Sequence, residues 1–264
     1  MTATASSTRA RRFGWGFSDT WLMTKRNLLY YSRNPYWISM AVVQPVMFTL
    51  LFVFVFGGAI QTPNGDYTDY LLPGIIVQTV IFSSLGSGIN LAEDMQKGVM
   101  DRFRSLPMAR GTVLSARTLS DSVRNIASAL IMVGVGYLVG YRFHGTLVEA
   151  VLALGLVVLV GYAFSWIAAT IGLLVKSTQA AEMAGFTWSF PVVFASSIFV
   201  PVESMPGWLQ AFASNNPVSI ASDAVRSWSL GTDPGTDPLV TVAWCAGLVA
   251  VFAALAVTQY RRLG

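Results

Sequence analysis

The sequence predicts an all-α integral membrane protein with six membrane-spanning helices, and three observations carry that prediction. Apolar residues make up 54% of the 264 residues and charged residues only 11%, where a soluble domain carries about 25% charged residues. The apolar residues fall in runs of about 20 residues or more, the length needed to cross about 30 Å of hydrocarbon. Lys and Arg are distributed unevenly between the two sides those runs define: with the N-terminus inside, fourteen lie on that side and only two, Arg142 and Arg226, on the other. Such a bias orients both termini to the cytoplasm. It also accounts for the net charge of +4 without nucleic acid as a partner.

Taken in order, residues 1–16 are polar and basic and read as a disordered cytoplasmic tail, not a secretory signal peptide, because the first apolar run comes too late and is too long. Residues 17–34 read as a helix lying in the cytoplasmic interface. Ser18 is its N-cap, Asp19 suits the helix dipole, Trp21, Leu22, Leu28 and Leu29 form an apolar side, and Lys25 snorkels among them. Lys25, Arg26 and Arg33 supply its charge, and Asn34-Pro35 stops it. Residues 35–264 form the membrane domain, with spans expected at about 36–60, 69–92, 119–141, 147–175, 181–200 and 239–258. Pro45 should kink the first span. The second is interrupted by Gln78, Ser83, Ser84, Gly86, Ser87, Gly88 and Asn90, small and polar residues that mark a face packed on other helices. Gln78 and Asn90 are also candidates to line a route. Asp121 and Arg124, three apart at the start of the third span, share a helix face. Before the last span, PVESMPGWLQAFASNNPVSIASDAVRSW divides at Asn215-Asn216-Pro217 into two short amphipathic pieces, expected to dip into the membrane as re-entrant helices where other protein covers their backbone.

Between the second and third spans lies EDMQKGVMDRFRSLPMARGTVLSAR, residues 93–117. It holds eight of the thirty charged side chains of the chain. Each ion in hydrocarbon costs at least about 2.5–3.5 kcal/mol, so this stretch is aqueous or docked on another protein. Energy-coupling chemistry is absent elsewhere. There is no GxxxxGK[ST] phosphate loop, no HExxH, no GxSxG and no acidic cluster at metal-ligand spacing, so no metal site is expected. No ionisable residue is expected in the middle of a span, which disfavours a proton relay. The single cysteine, Cys245, excludes an internal disulfide, and His144 reads as a solvated turn residue. A membrane protein of this kind draws its energy from another chain.

These residues resemble the permease subunits of type-2 ATP-binding-cassette exporters, most closely the daunorubicin-resistance branch. RNLLYYSRNPYWISMAVVQPVMFTLLFVFVFGGAI is similar to that family's first helix and span, DYLLPGIIVQTVIF to its second span, residues 93–117 to its cytoplasmic loop, and the segment from Pro201 to its external piece before the last span. The resemblance implies a dimer of permeases, with itself or a sibling, bound to two copies of a separate cytoplasmic ATPase. No cofactor is expected in this chain; ATP and Mg belong to the partner. The resemblance further implies that the loop docks the ATPase through Glu93, Asp94, Lys97, Asp101, Arg102, Phe103, Arg104, Leu106, Pro107 and Arg110. The N-terminal helix, with Trp21, Lys25, Arg26 and Arg33, would contact it too. The substrate would be a hydrophobic drug or polyketide-like compound, the location the plasma membrane (the inner membrane of a bacterium), and no ATPase activity would reside in this chain. Gln44, Gln78, Phe82 and Asn90 are the candidates for the path. Export of a lipid or lipid-linked glycan, or a sensor subunit that transports nothing, are the alternatives.

Overall fold

The computed structural model describes residues 35–58, 60, 62, 66–98, 112–175 and 177–262. Among them are eight α-helices and no strand. They are α1 (Pro35–Leu51), extended by a π-turn over Phe52–Phe56, α2 (Tyr67–Gln96), α3 (Thr112–Val139), α4 (Leu147–Leu174), α5 (Thr178–Phe194), α6 (Gly207–Asn215), α7 (Pro217–Leu230) and α8 (Asp237–Arg262), with a 3-10 turn at Val202–Ser204 between α5 and α6. Four segments are long and apolar enough to cross a membrane: Tyr67–Gln96, Ser120–Val139, Leu147–Leu174 and Asp237–Gln259. Within the expected first span Val43–Phe56 is a shorter apolar helix, and the expected fifth span coincides with the 17-residue helix Thr178–Phe194. The expected tail, the interface helix and residues 99–111 of the charged stretch lie outside the described residues.

Local chemistry sets the boundaries. Thr146 caps α4 by accepting from the Glu149 N–H, and the Glu149 carboxylate accepts from the Thr146 N–H in return, the reciprocal arrangement of a capping box. The Ser177 hydroxyl accepts from the Ala180 N–H and opens α5. The break at Asn216 divides α6 from α7 where the sequence predicts it. The Asn216 side chain accepts from the Val218 N–H with Pro217 next to it in the first turn, and Gly231 closes α7 in the left-handed region at φ 69°, which a glycine adopts without a Cβ penalty. Two boundaries differ from expectation. α3 begins at Thr112, seven residues before the apolar run starts. α5 stops at Phe194, and residues 195–200, with Ser196 and Ser197 among them, form a turn.

α2 is the hub. It packs against α1, α3, α4, α5 and α7, and 83% of its most apolar 18-residue stretch is buried, against 17% for α8. Its crossing with α4 is backbone on backbone: a Cβ on Gly88 would lie 2.3 Å from the Ala168 carbonyl oxygen, and one on Gly172 2.3 Å from that of Gly88. Small residues let helices approach this closely, and dispersion and polar contacts then hold them where lipid offers no hydrophobic drive.

Candidate functional site

α1 and α5 each carry phenylalanine at every fourth position, Phe48, Phe52 and Phe56 on one and Phe186, Phe190 and Phe194 on the other. That spacing places three rings in a row along one helix face. Rings follow one another along each row: Phe48–Phe52 at 6.2 Å, Phe52–Phe56 at 5.3 Å, Phe186–Phe190 at 5.5 Å and Phe190–Phe194 at 5.3 Å between centroids. The rows meet where Phe48 lies 6.1 Å from Phe194. Phe199, in the turn after α5, stacks on Phe52 at 4.5 Å and on Phe194 at 5.0 Å. Phe82 joins from α2, 5.4 Å from Phe190 and 6.1 Å from Phe186. The outcome is a wall of phenylalanine rings from three helices, with Phe199 packed where the two rows meet. Phe56, Phe190 and Phe194 remain about 40% exposed, so the wall is open toward the outside of the chain.

Of the four residues proposed for the path, Phe82 is in this wall. Gln78, one turn before it on α2, is buried, and its side-chain oxygen has no hydrogen-bond partner among the described residues. The Trp188 indole N–H on α5 is likewise without one, while its ring stacks on Phe164 of α4 at 5.6 Å. An unmade bond to a buried polar atom costs about 1–3 kcal/mol. Trp188 is two residues from both Phe186 and Phe190, so it lies on the other side of α5 from the phenylalanine row. Gln44 is half-buried on α1, and Asn90 is buried two turns beyond Phe82. The ring contacts of the wall involve neither. The two phenylalanine rows themselves, unlike Phe82, were not singled out from the sequence, although their four-residue spacing was there to be read.

A second constellation lies between α2 and α3. Asp121 is fully buried and pairs with Arg124, 3.1 Å away. Asp121 also accepts from the Ser87 hydroxyl. The Arg124 guanidinium reaches the Ser83 hydroxyl at 3.0 Å and the Ser83 carbonyl at 2.5 Å. It passes over Gly86, where a Cβ would stand 3.2 Å from its Nη1. The pair is thus held inside the helix bundle, with the guanidinium and carboxylate both satisfied by α2. Next to it, the Asn125 amide is fully buried against Gly161 of α4, and neither of its polar atoms has a partner among the described residues. Of the charged stretch, the described part shows Lys97 paired with Glu93 one turn earlier, an exposed i,i+4 pair worth little stability in itself. Asp101, Arg102, Phe103, Arg104, Leu106, Pro107 and Arg110 lie outside the described residues, as do Trp21, Lys25, Arg26 and Arg33.

Comparison with known proteins decides what these helices belong to. The model of the ABC-2 type transporter family matches residues 18–229, most of the chain. This chain is a member of the ABC-2 type transporter family. Within the family it is similar to the daunorubicin resistance ABC transporter permease protein DrrB1 of Streptomyces coeruleorubidus, 34% identical over 89% of this chain and 83% of the relative. It is 29% identical to the probable doxorubicin resistance ABC transporter permease protein DrrC of Mycobacterium tuberculosis, over 93% of this chain and 89% of that one. A putative transport permease, ycf38 of Porphyra purpurea, is 27% identical over 84% of this chain. An ABC-2 transporter with apolar helices of this length is a membrane protein, and membership of the family implies an ATP-binding partner subunit. In this ABC-2 chain the aromatic wall and the Asp121–Arg124 pair both rest on α2, which makes that helix the element on which both constellations depend.

Proposed function

We propose that this chain is the permease of an ATP-driven exporter that moves flat, hydrophobic, drug-like compounds out of the cell. The aromatic wall is the observation that carries the reading. Its rings come from three helices and contact one another, and its outer rings remain accessible. Offset aromatic stacking adds about 0.5–1.5 kcal/mol per pair beyond area burial, so a planar polycyclic guest gains several such contacts at once. The names of the relatives, daunorubicin and doxorubicin resistance permeases, agree with such a guest.

Two permease copies and two ATP-binding subunits make up the assembly in this reading, with ATP and Mg bound by the partner and the charged stretch as the docking surface. α1 and α5, with α2, α3, α4 and α8, form the six spans, and α6 and α7 lie as a re-entrant pair on the outer side, where exposed Trp208 suits the membrane interface. The membrane is the bacterial inner membrane with both termini cytoplasmic. Cysteine placed at Ser177 in a Cys245→Ala background then reacts only from the cytoplasmic side, and cysteine at Thr236 only from outside; the reverse pattern overturns the orientation.

Transport itself is tested in inside-out vesicles holding the chain with its ATP-binding partner. ATP-dependent accumulation of daunorubicin is expected, and Phe82→Ala together with Phe190→Ala should lower it about tenfold or more, from the loss of several stacking contacts. Accumulation unchanged in that double variant removes the aromatic wall from the path.

A further inference from the structure

We infer that Arg226 is a positioning residue that holds Phe199 in the aromatic wall. The inference rests on that wall's being part of the export path, and it assigns a role to a polar cluster that this reading does not otherwise use.

The turn that carries Phe199, residues 195–200, lies flat on α2. Gly74 makes this possible: a Cβ there would stand 2.9 Å from the Ile198 carbonyl oxygen and 3.0 Å from its Cα. Two tyrosines of α2 flank that contact. The Tyr70 hydroxyl donates to the Ser197 carbonyl and the Tyr67 hydroxyl to the Phe199 carbonyl, each at 2.8 Å. Arg226, on α7 and only 7% exposed, ties the same turn down from the other side. Its Nη2 donates to the Ser197 carbonyl at 2.8 Å and its Nε to the Tyr70 carbonyl at 2.9 Å. Its guanidinium lies 3.7 Å from the centre of the Tyr70 ring. Asp223, one turn earlier on α7, neutralises it and accepts from the Ser197 hydroxyl at 2.8 Å. The Ser197 N–H donates to Ser219, also on α7, at 3.0 Å.

These bonds converge on the backbone of Ser197 and Phe199, and the ring of Phe199, 5% exposed, is what the turn presents to the aromatic wall. A planar fork holds two carbonyls and a carboxylate at once while stacking on a ring, where an ammonium is a single point charge. A cavity of about 220 Å³, bordered by Tyr70, Ser197, Glu203, Asp223 and Arg226, lies beside the latch. Loss of the arginine's bonds loosens the turn on α2 and with it the contacts of Phe199 to Phe52 and Phe194, which ties substrate stacking to the packing of α7.

Two readouts test this. The first needs no substrate. In a Cys245→Ala background, cysteine at Ile198, a position fully buried against α2, is expected to react slowly with a membrane-permeant maleimide. Adding Arg226→Gln should raise the rate about tenfold or more, which is the scale expected when opening becomes easier by one decade in equilibrium. Arg226→Lys should fall nearer to glutamine than to arginine. If Arg226→Gln does not fold, Tyr67→Phe, which removes only the bond to the Phe199 carbonyl, should still speed labelling severalfold. Equal labelling rates in the parent, Arg226→Lys and Tyr67→Phe chains overturn the latch. The second readout is stimulation of ATP hydrolysis in the complex with the ATP-binding partner. Phe199→Leu and Arg226→Gln should each raise the half-stimulating concentration of daunorubicin about tenfold, and leave that of a straight-chain alkyl amine within about twofold, because only the flat guest stacks. Equal shifts for both compounds contradict a positioning role. A wild-type complex that daunorubicin does not stimulate defeats the export reading instead, and the labelling rates still decide the latch.

Discussion

Asp121→Ala should destabilise the protein by about 3–5 kcal/mol, the range found when one partner of a buried ion pair is removed and the other stays behind. Asp121 is fully buried and the Arg124 side chain is 16% exposed. Without the carboxylate, the guanidinium loses that partner while it stays between α2 and α3 against the Ser83 carbonyl and hydroxyl. Taking out both charges is a different matter, because it also removes the cost of keeping two ions away from water. Asp121→Leu with Arg124→Met should lie within about 1–2 kcal/mol of the wild type for that reason. Thermal unfolding of the detergent-purified chain measures both, since a loss of that size moves the midpoint by several degrees or more. If Asp121→Ala melts with the wild type, the pair is solvated and the packing described for α2 and α3 is wrong.

Arg102→Glu combined with Arg104→Glu should release the ATP-binding partner while leaving the membrane helices folded. In the sequence these arginines flank Phe103 and precede Leu106, a mixture of charged and apolar residue types suited to docking in a groove on another protein. Breaking a desolvated charge pair across an interface costs about 2–5 kcal/mol of association, a fall in affinity of about 30-fold to several thousandfold. The same change in a loop exposed to water is worth about 0.5 kcal/mol at most. Co-purification of the partner and substrate-stimulated turnover should therefore disappear together, with the melting temperature of the permease unchanged. A double variant that binds its partner at wild-type affinity and still exports removes these arginines from the docking surface, and attention then passes to Phe103 and Leu106.

The apolar runs made four of the helices legible in the sequence, because crossing hydrocarbon demands length and composition that few other structures need. The helix ends were less legible. α3 starts at Thr112 although the apolar run starts near Leu119, since hydropathy marks where a bilayer would begin and hydrogen bonding marks where a helix does. α5 stops at Phe194 although the expected span runs to Val200. Composition cannot separate a buried turn from a helix, and what fixes the turn is Gly74, more than a hundred residues away, together with the hydroxyls of Tyr67 and Tyr70. The break at Asn216-Pro217 was readable because capping chemistry is local. The site divides in the same way. Phe82 and Gln78 stood out as polar or aromatic residues in a span, and the four-residue spacing of phenylalanine in α1 and α5 was present in the letters. That the two rows face each other across Phe199 depends on the fold alone. Asp121 and Arg124 read as a pair on one helix face, but their burial against Ser83 and Ser87 required α2 to be placed first.

The central claim is a division of labour, in which this chain forms the path and a separate subunit supplies the energy. Phosphate release from ATP by the purified chain alone, by the chain with its ATP-binding partner, and by that complex with daunorubicin tests it most directly. The account predicts no turnover by the lone chain, which has no phosphate-binding loop, basal turnover in the complex, and a saturable increase with daunorubicin. Turnover by the lone chain, or a complex whose rate no flat hydrophobic compound alters, would contradict it.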